Sequence, residues 1–158
     1  MTATMMNPES RTAVLRGMGG GAVATVAMSA MMLAAQKAGF MGKLPPEKIT
    51  EAALDTLHVY RKESTEDALT TVAHFAYGIG CGGLFGWLHA KTTSTHLPPE
   101  LKGVTFASVV WLVSYFGWVP ALGIMPRPQN DRRGRPTSML VAHWIFGGVL
   151  GILMHGVK

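Results

Sequence analysis

The chain's charges leave four long gaps. Its 158 residues include 14 Lys and Arg and 9 Asp and Glu, and none of these falls within residues 17–36, 68–90, 103–126 or 136–157. The gaps hold 20, 23, 24 and 22 residues. A helix needs about 20 mainly apolar residues, rising 1.5 Å each, to cross a hydrocarbon core of about 30 Å. Backbone groups inside lipid must find their partners within the segment, so each gap is predicted to be a helix. An all-α, polytopic membrane fold follows, with four spans at about 14–38, 68–90, 102–124 and 137–157. The chain reads as a single four-helix transmembrane domain over residues 1–158.

A soluble four-helix bundle would carry a polar stripe along each helix, and no such stripe is present. Only 15% of residues are charged, against about 25% in soluble domains. With one Cys, a disulfide scaffold is excluded. That cysteine, Cys81, lies mid-span and reads as a small packing residue. Trp87, Trp118 and Trp144 fall near span ends, where amphipathic rings favour the headgroup level, and Trp111 lies deeper. The first apolar stretch exceeds the h-region of a signal peptide and reads as a mature helix.

Local signals punctuate these spans. Ser64-Thr65-Glu66-Asp67 resembles a capping box ahead of the second, and Thr137 is the expected cap of the fourth. Leu44-Pro45-Pro46-Glu47 predicts a short amphipathic helix over about 45–58, lying at the membrane surface or folded over the bundle. Pro120 should kink the third span near its end. Lys43, Lys48, Arg61 and Lys62 in the first loop, with Arg127, Arg132, Arg133 and Arg135 in the third, outnumber Arg11, Arg16, Lys91, Lys102 and Lys158 on the other side. The positive-inside rule then places loops one and three in the cytoplasm. The run Arg132-Arg133-Gly134-Arg135 suits anionic lipid headgroups. Basic residues this few, tethered at a membrane, do not suit nucleic acid.

The second and fourth spans repeat each other. Val72-Ala73-His74-Phe75-Ala76-Tyr77-Gly78 matches Val141-Ala142-His143-Trp144-Ile145-Phe146-Gly147. The first and third echo more weakly, each opening on a glycine (Gly17, Gly103) and leaving through a Gly-x-x-Pro exit at Gly42 and Gly123. The chain therefore reads as two hairpins of one kind in parallel repeat. Gly78, Gly82 and Gly86, like Gly147 and Gly151, recur every fourth residue and form faces on which backbones approach closely. The two even spans are expected to cross on these faces, with His74 and His143 at equal depth. Such faces could also bind a partner subunit or a second copy.

The Met28-Ser29-Ala30-Met31 end of the Gly-rich first span, the run Leu44-Pro45-Pro46-Glu47-Lys48-Ile49 and the Ala-His-aromatic opening of the even spans carry a resemblance. The chain resembles small bacterial integral-membrane proteins of unknown function, the broad YagU-like group. The resemblance implies a bacterial inner membrane and carries over no catalytic residue.

The histidines are the sharpest chemical feature. Ionisable groups within a span are functional candidates. His74 and His143 lie near one end of their helices, and His89 and His155 near the other. Two layers of paired imidazoles would resemble a dihaem cytochrome b. The spacings turn the second histidine of each helix about 60° and 120° from the first, whereas stacked haems need one face. The plainer reading has His74 and His143 bonding across helices and His89 and His155 at the interface. Zinc lacks ligands, Cys81 being roughly two turns from His74. Tyr77, Ser114, Tyr115 and Gln36 read as helix glue. The 11 Met read as adaptable packing, with copper handling a remote option. No nucleotide-binding or hydrolase motif is present. The chain is thus expected to be a non-enzymatic inner-membrane accessory subunit, without metal or cofactor, associating with the bilayer and with other membrane subunits or itself. A haem b-binding electron carrier and a small homo-oligomeric transporter or channel are the alternatives.

Overall fold

A computed structural model describes residues 8–59, 62–92 and 96–157. Among them, four helices are long and apolar enough to cross a membrane. These are α1 (Pro8–Lys37), α3 (Glu63–Lys91), α4 (Pro99–Ala121) and α5 (Arg135–Leu153), and α2 (Pro45–Thr56) is a short helix in the first loop. The four expected spans are all present. Arg61 and Lys158, which entered the charge count, lie outside the described residues.

Helix ends follow backbone chemistry more than side-chain caps. The N-caps of α3 and α5 are Lys62 and Gly134, neither with a side-chain cap bond, so Ser64 and Thr137 fall inside the helices instead. α2 opens as expected, with Pro45 in its first turn and the Leu44 N–H donating to Glu47 Oε2 at 3.1 Å. α1 and α4 end alike. Phe40 N–H reaches back to Ala35 O at 3.0 Å, and Ile124 N–H to Val119 O at 3.2 Å. Each of these closures turns on a glycine of positive φ, Gly39 at 83° and Gly123 at 71°. Gly39, not Gly42, is therefore the counterpart of Gly123.

Inside the bundle, small residues face one another. A side chain on Gly17 would collide with the Gly82 carbonyl and come within 3.0 Å of the Gly86 Cα; one on Gly21 would collide with the Gly78 carbonyl. The second hairpin repeats the arrangement. Gly103 lies against the Gly147 carbonyl, and Gly151 against Pro99 and Glu100. Gly103 thus corresponds to Gly21 rather than to Gly17. The outer faces carry the bulk: Leu15, Val26, Val72, Leu84, Leu112, Phe116 and Ile152 are all exposed. This inverts the order of a soluble core. Hydrocarbon supplies no drive to bury leucine, so close packing of backbones holds the helices together.

The expected crossing of the two even spans is not how the bundle assembles. Each even span packs on its own hairpin partner, α3 on α1 and α5 on α4, and the hairpins join mainly through α1 against α5. By the repeat's symmetry, α3 against α4 should match that seam, yet the backbones of those two helices hardly approach, and they meet through side chains such as Phe85 and Phe106. The Gly faces at Gly78, Gly82, Gly86, Gly147 and Gly151 are spent within hairpins, so they are not open to another subunit.

Pro120 bends α4 as expected, through a π-turn. Residues Val113–Trp118 wind with an extra residue, Val119 N–H bonds Ser114 O, and Gly117 leaves helical geometry at φ −101° and ψ −107°. Proline has no N–H to donate to the carbonyl of Phe116, four residues back, and its ring crowds that carbonyl.

The glycine contacts lead to a test. Gly82→Ala should lower stability by about 1–3 kcal/mol, the usual cost of overpacking. Gly80→Ala, whose added methyl meets nothing within 4 Å, should not. Thermal unfolding in one detergent compares the pair, and equal melting temperatures would contradict the packing described.

Candidate functional site

Where α3 and α4 part, the bundle encloses a cavity of about 320 Å³. α3 lines it with Thr70, His74, Tyr77, Gly78 and Cys81, residues that share one helix face. α4 contributes Trp111, Ser114, Tyr115 and Trp118, the last three from the π-turn. α5 contributes Met139, His143 and Phe146, and α1 Thr25, Met28 and Met32. α2 folds over one end, presenting Pro45, Pro46, Ile49 and Thr50. Of the two placements expected for this helix, the bundle uses the second. Lys43 pairs with Glu51 at 2.7 Å beside it, and that bond holds the ammonium pKa above its ordinary value.

The four histidines divide into two groups. His74 and His143 both line the cavity. His143 is 8% exposed, and its Nδ1–H donates to Met139 O at 2.8 Å. A carbonyl only accepts, so the proton sits on Nδ1 and Nε2 keeps its lone pair. His74 Nε2 is buried and has no partner among the described residues. His89 and His155 are elsewhere. His89 Nε2 donates to Val157 O at 3.3 Å, and His155 pairs with Glu100. They fasten the C-terminal turn to the ends of α3 and α4, so a second layer of facing imidazoles does not form.

Gln36, read as helix glue, donates instead to Gly42 O at 2.8 Å and ties off the first loop. Tyr77, Ser114 and Tyr115, read the same way, are cavity walls. Two further orphaned atoms, Thr70 Oγ1 and Trp111 Nε1, belong to cavity-lining residues. Thr70 was not singled out in the sequence, although it stands one turn before His74, and that spacing is the signal that marks it. Trp111, read only as lying deeper in its span, is brought to the same cavity by the fold. Among the described residues, no group of three or more His, Cys, Asp or Glu converges as a metal site.

The basic run of the third loop also divides. Arg132 and Arg133 are exposed. Arg135 turns inward: its side chain is 8% exposed and bonds Asp131 Oδ1 at 2.7 Å, with Asp131 at 2%. Arg135 Nε and Nη2 also donate to Met41 O in the first loop, at 2.8 and 2.5 Å. Asp131 Oδ2 accepts from the Tyr115 hydroxyl at 2.5 Å. Lipid headgroups are thus open to Arg132 and Arg133 and not to Arg135. The sequence shows three arginines within four residues with no sign that one is internal. The carboxylate four residues earlier, on a loop, is what draws it in.

This network should weigh more than its neighbours. Removing one partner of a buried ion pair strands the other charge, at about 3–5 kcal/mol. Arg135→Leu is expected to lower the melting temperature sharply and Arg133→Leu hardly at all; similar losses would count against the inward placement.

The chain belongs to a family of unknown function (DUF6789), which it matches over residues 11–158. No curated protein and no solved structure matches it.

Proposed function

We propose that this family member is a non-enzymatic accessory subunit of the bacterial inner membrane, which holds a small, membrane-soluble molecule between α3 and α4. Its partners are the bilayer and the membrane subunits it serves. The observation that carries the reading is the cavity with its orphaned polar atoms. Ligand sites are concave, mostly apolar, and of about 300–1,000 Å³, with a few convergent polar groups. This one has about 320 Å³ and three buried side-chain atoms without partners among the described residues. Leaving a buried polar group unpaired costs about 1–3 kcal/mol, so a packing role alone would favour apolar residues there.

The bacterial setting and kinship with the YagU-like group are part of the same proposal, resting on the quoted motifs. So is the sidedness, with the first and third loops cytoplasmic. It draws support from the Met41–Arg135 bonds, which put the two most basic loops at one end of the bundle.

Native mass spectrometry of the protein released from nanodiscs tests the main reading. A bound small molecule is expected on the wild type and not on Ser114→Phe, which fills the cavity. Two bare proteins would refute it. For sidedness, Arg133→Cys in a Cys81→Ala background should react with a membrane-impermeant maleimide only after cells are opened. Labelling of intact spheroplasts would reverse the topology.

A further inference from the structure

We infer that the ligand of this cavity is a neutral, flat, lipid-soluble molecule bearing carbonyl acceptors, of the quinone class. The inference rests on the binding reading above and adds the chemistry of what is bound.

Charge comes first. No Asp, Glu, Lys or Arg lines the cavity, so no permanently charged side chain there would compensate a charged ligand. Hydrogen-bond polarity comes next. Trp111 Nε1 is buried and unpartnered, and an indole nitrogen only donates. The ligand must therefore present an acceptor at α4. On α3, further along the same cavity, Thr70 Oγ1 and His74 Nε2 are also unpartnered, and each is able to donate. Donors at separate points of one cavity suit a molecule with more than one acceptor, as the two carbonyls of a quinone provide. A hydrocarbon chain would leave all three unsatisfied.

Shape adds a third argument. The Trp111 ring stacks on Tyr115 at 5.9 Å and 25°, and meets the edge of Phe116 at 5.4 Å. The indole is thereby held in place before anything binds. Flat aromatic walls favour a flat ligand. The loosely packed α3–α4 seam gives such a molecule a lateral way in from the lipid.

The sole cysteine supplies the readout, because Cys81 is free and lines the cavity. In nanodiscs, the rate of its alkylation by N-ethylmaleimide reports occupancy. Duroquinone and durene make a matched pair of probes: both are flat, neutral rings with four methyl groups, and two C–H groups of durene stand where duroquinone has its carbonyls. Duroquinone is expected to protect Cys81 at a membrane concentration about five- to ten-fold lower than durene, the worth of one or two hydrogen bonds. That advantage should vanish in Trp111→Phe, and shrink in Thr70→Val, which keeps its shape and loses only the hydroxyl. Equal protection by both probes would overturn the quinone inference while leaving a binding cavity. If neither protects, the inference fails; an adduct in native mass spectrometry would then still uphold the binding reading, and its absence would end both.

Discussion

The fold depends on backbone touching backbone. At Gly17 against Gly82, and again at Gly103 against Gly147, there is no room for even a methyl group. In water such a contact would be a poor use of surface. In hydrocarbon it replaces the hydrophobic effect, because leucine is as well solvated by lipid as by protein and only close packing favours association. The small residues then claim the closest helix contacts, Met32, Phe85, Phe146 and Leu150 fill the space between, and many other large residues face outward. The spans keep their length, the hairpins their pairing, and each loop its end of the bundle because of it.

The same constraint explains the cavity. Small-residue contacts form within each hairpin, and one further seam, α1 on α5, joins them. The symmetry-related seam between α3 and α4 lacks them. There α4 carries Trp111, Tyr115 and Trp118, too bulky for the approach that Gly20 allows between α1 and α5. The gap is walled by helices that packing has already fixed, so its polar atoms are aimed in advance. Pre-set donors bind without the ordering cost that mobile side chains incur. Below the cavity the Tyr115–Asp131–Arg135 chain runs to Met41, joining the third loop to the first. Fully satisfied polar networks of this kind rigidify what they connect.

Much of the architecture could be read from residue order. Charge-free stretches mark the spans because the cost of burying charge in lipid acts on every residue locally. The hairpin repeat, the proline kink and the amphipathic loop helix are also local, written in spacing. What escaped was relational. The glycines at Gly78 and Gly147 announce that some helix comes close, without saying which, and the plausible choice of the even pair was not the one adopted. The register between Gly21 and Gly103 was hidden by Gly17, one turn away and equally small. His74 and His143 stood out by their shared motif. Trp111 did not, since nothing in its neighbourhood reveals that it shares a cavity with Thr70 and His74. Arg135 was misread for the same reason: its partner Met41 lies 94 residues away.

The π-turn in α4 has a consequence for how this site takes a change in length. A π-turn holds one residue more than the α-helix around it. Each helical residue turns the chain by about 100°, and the π-turn takes up its extra residue within Val113–Trp118, so the helix on either side keeps its facing. Trp111 and Trp118 face one cavity from either side of this step. A change of one residue in length is thereby confined to one wall of the pocket. It alters the turn that carries Ser114, Tyr115 and Trp118 and leaves the contact of Gly103 with Gly147 in register.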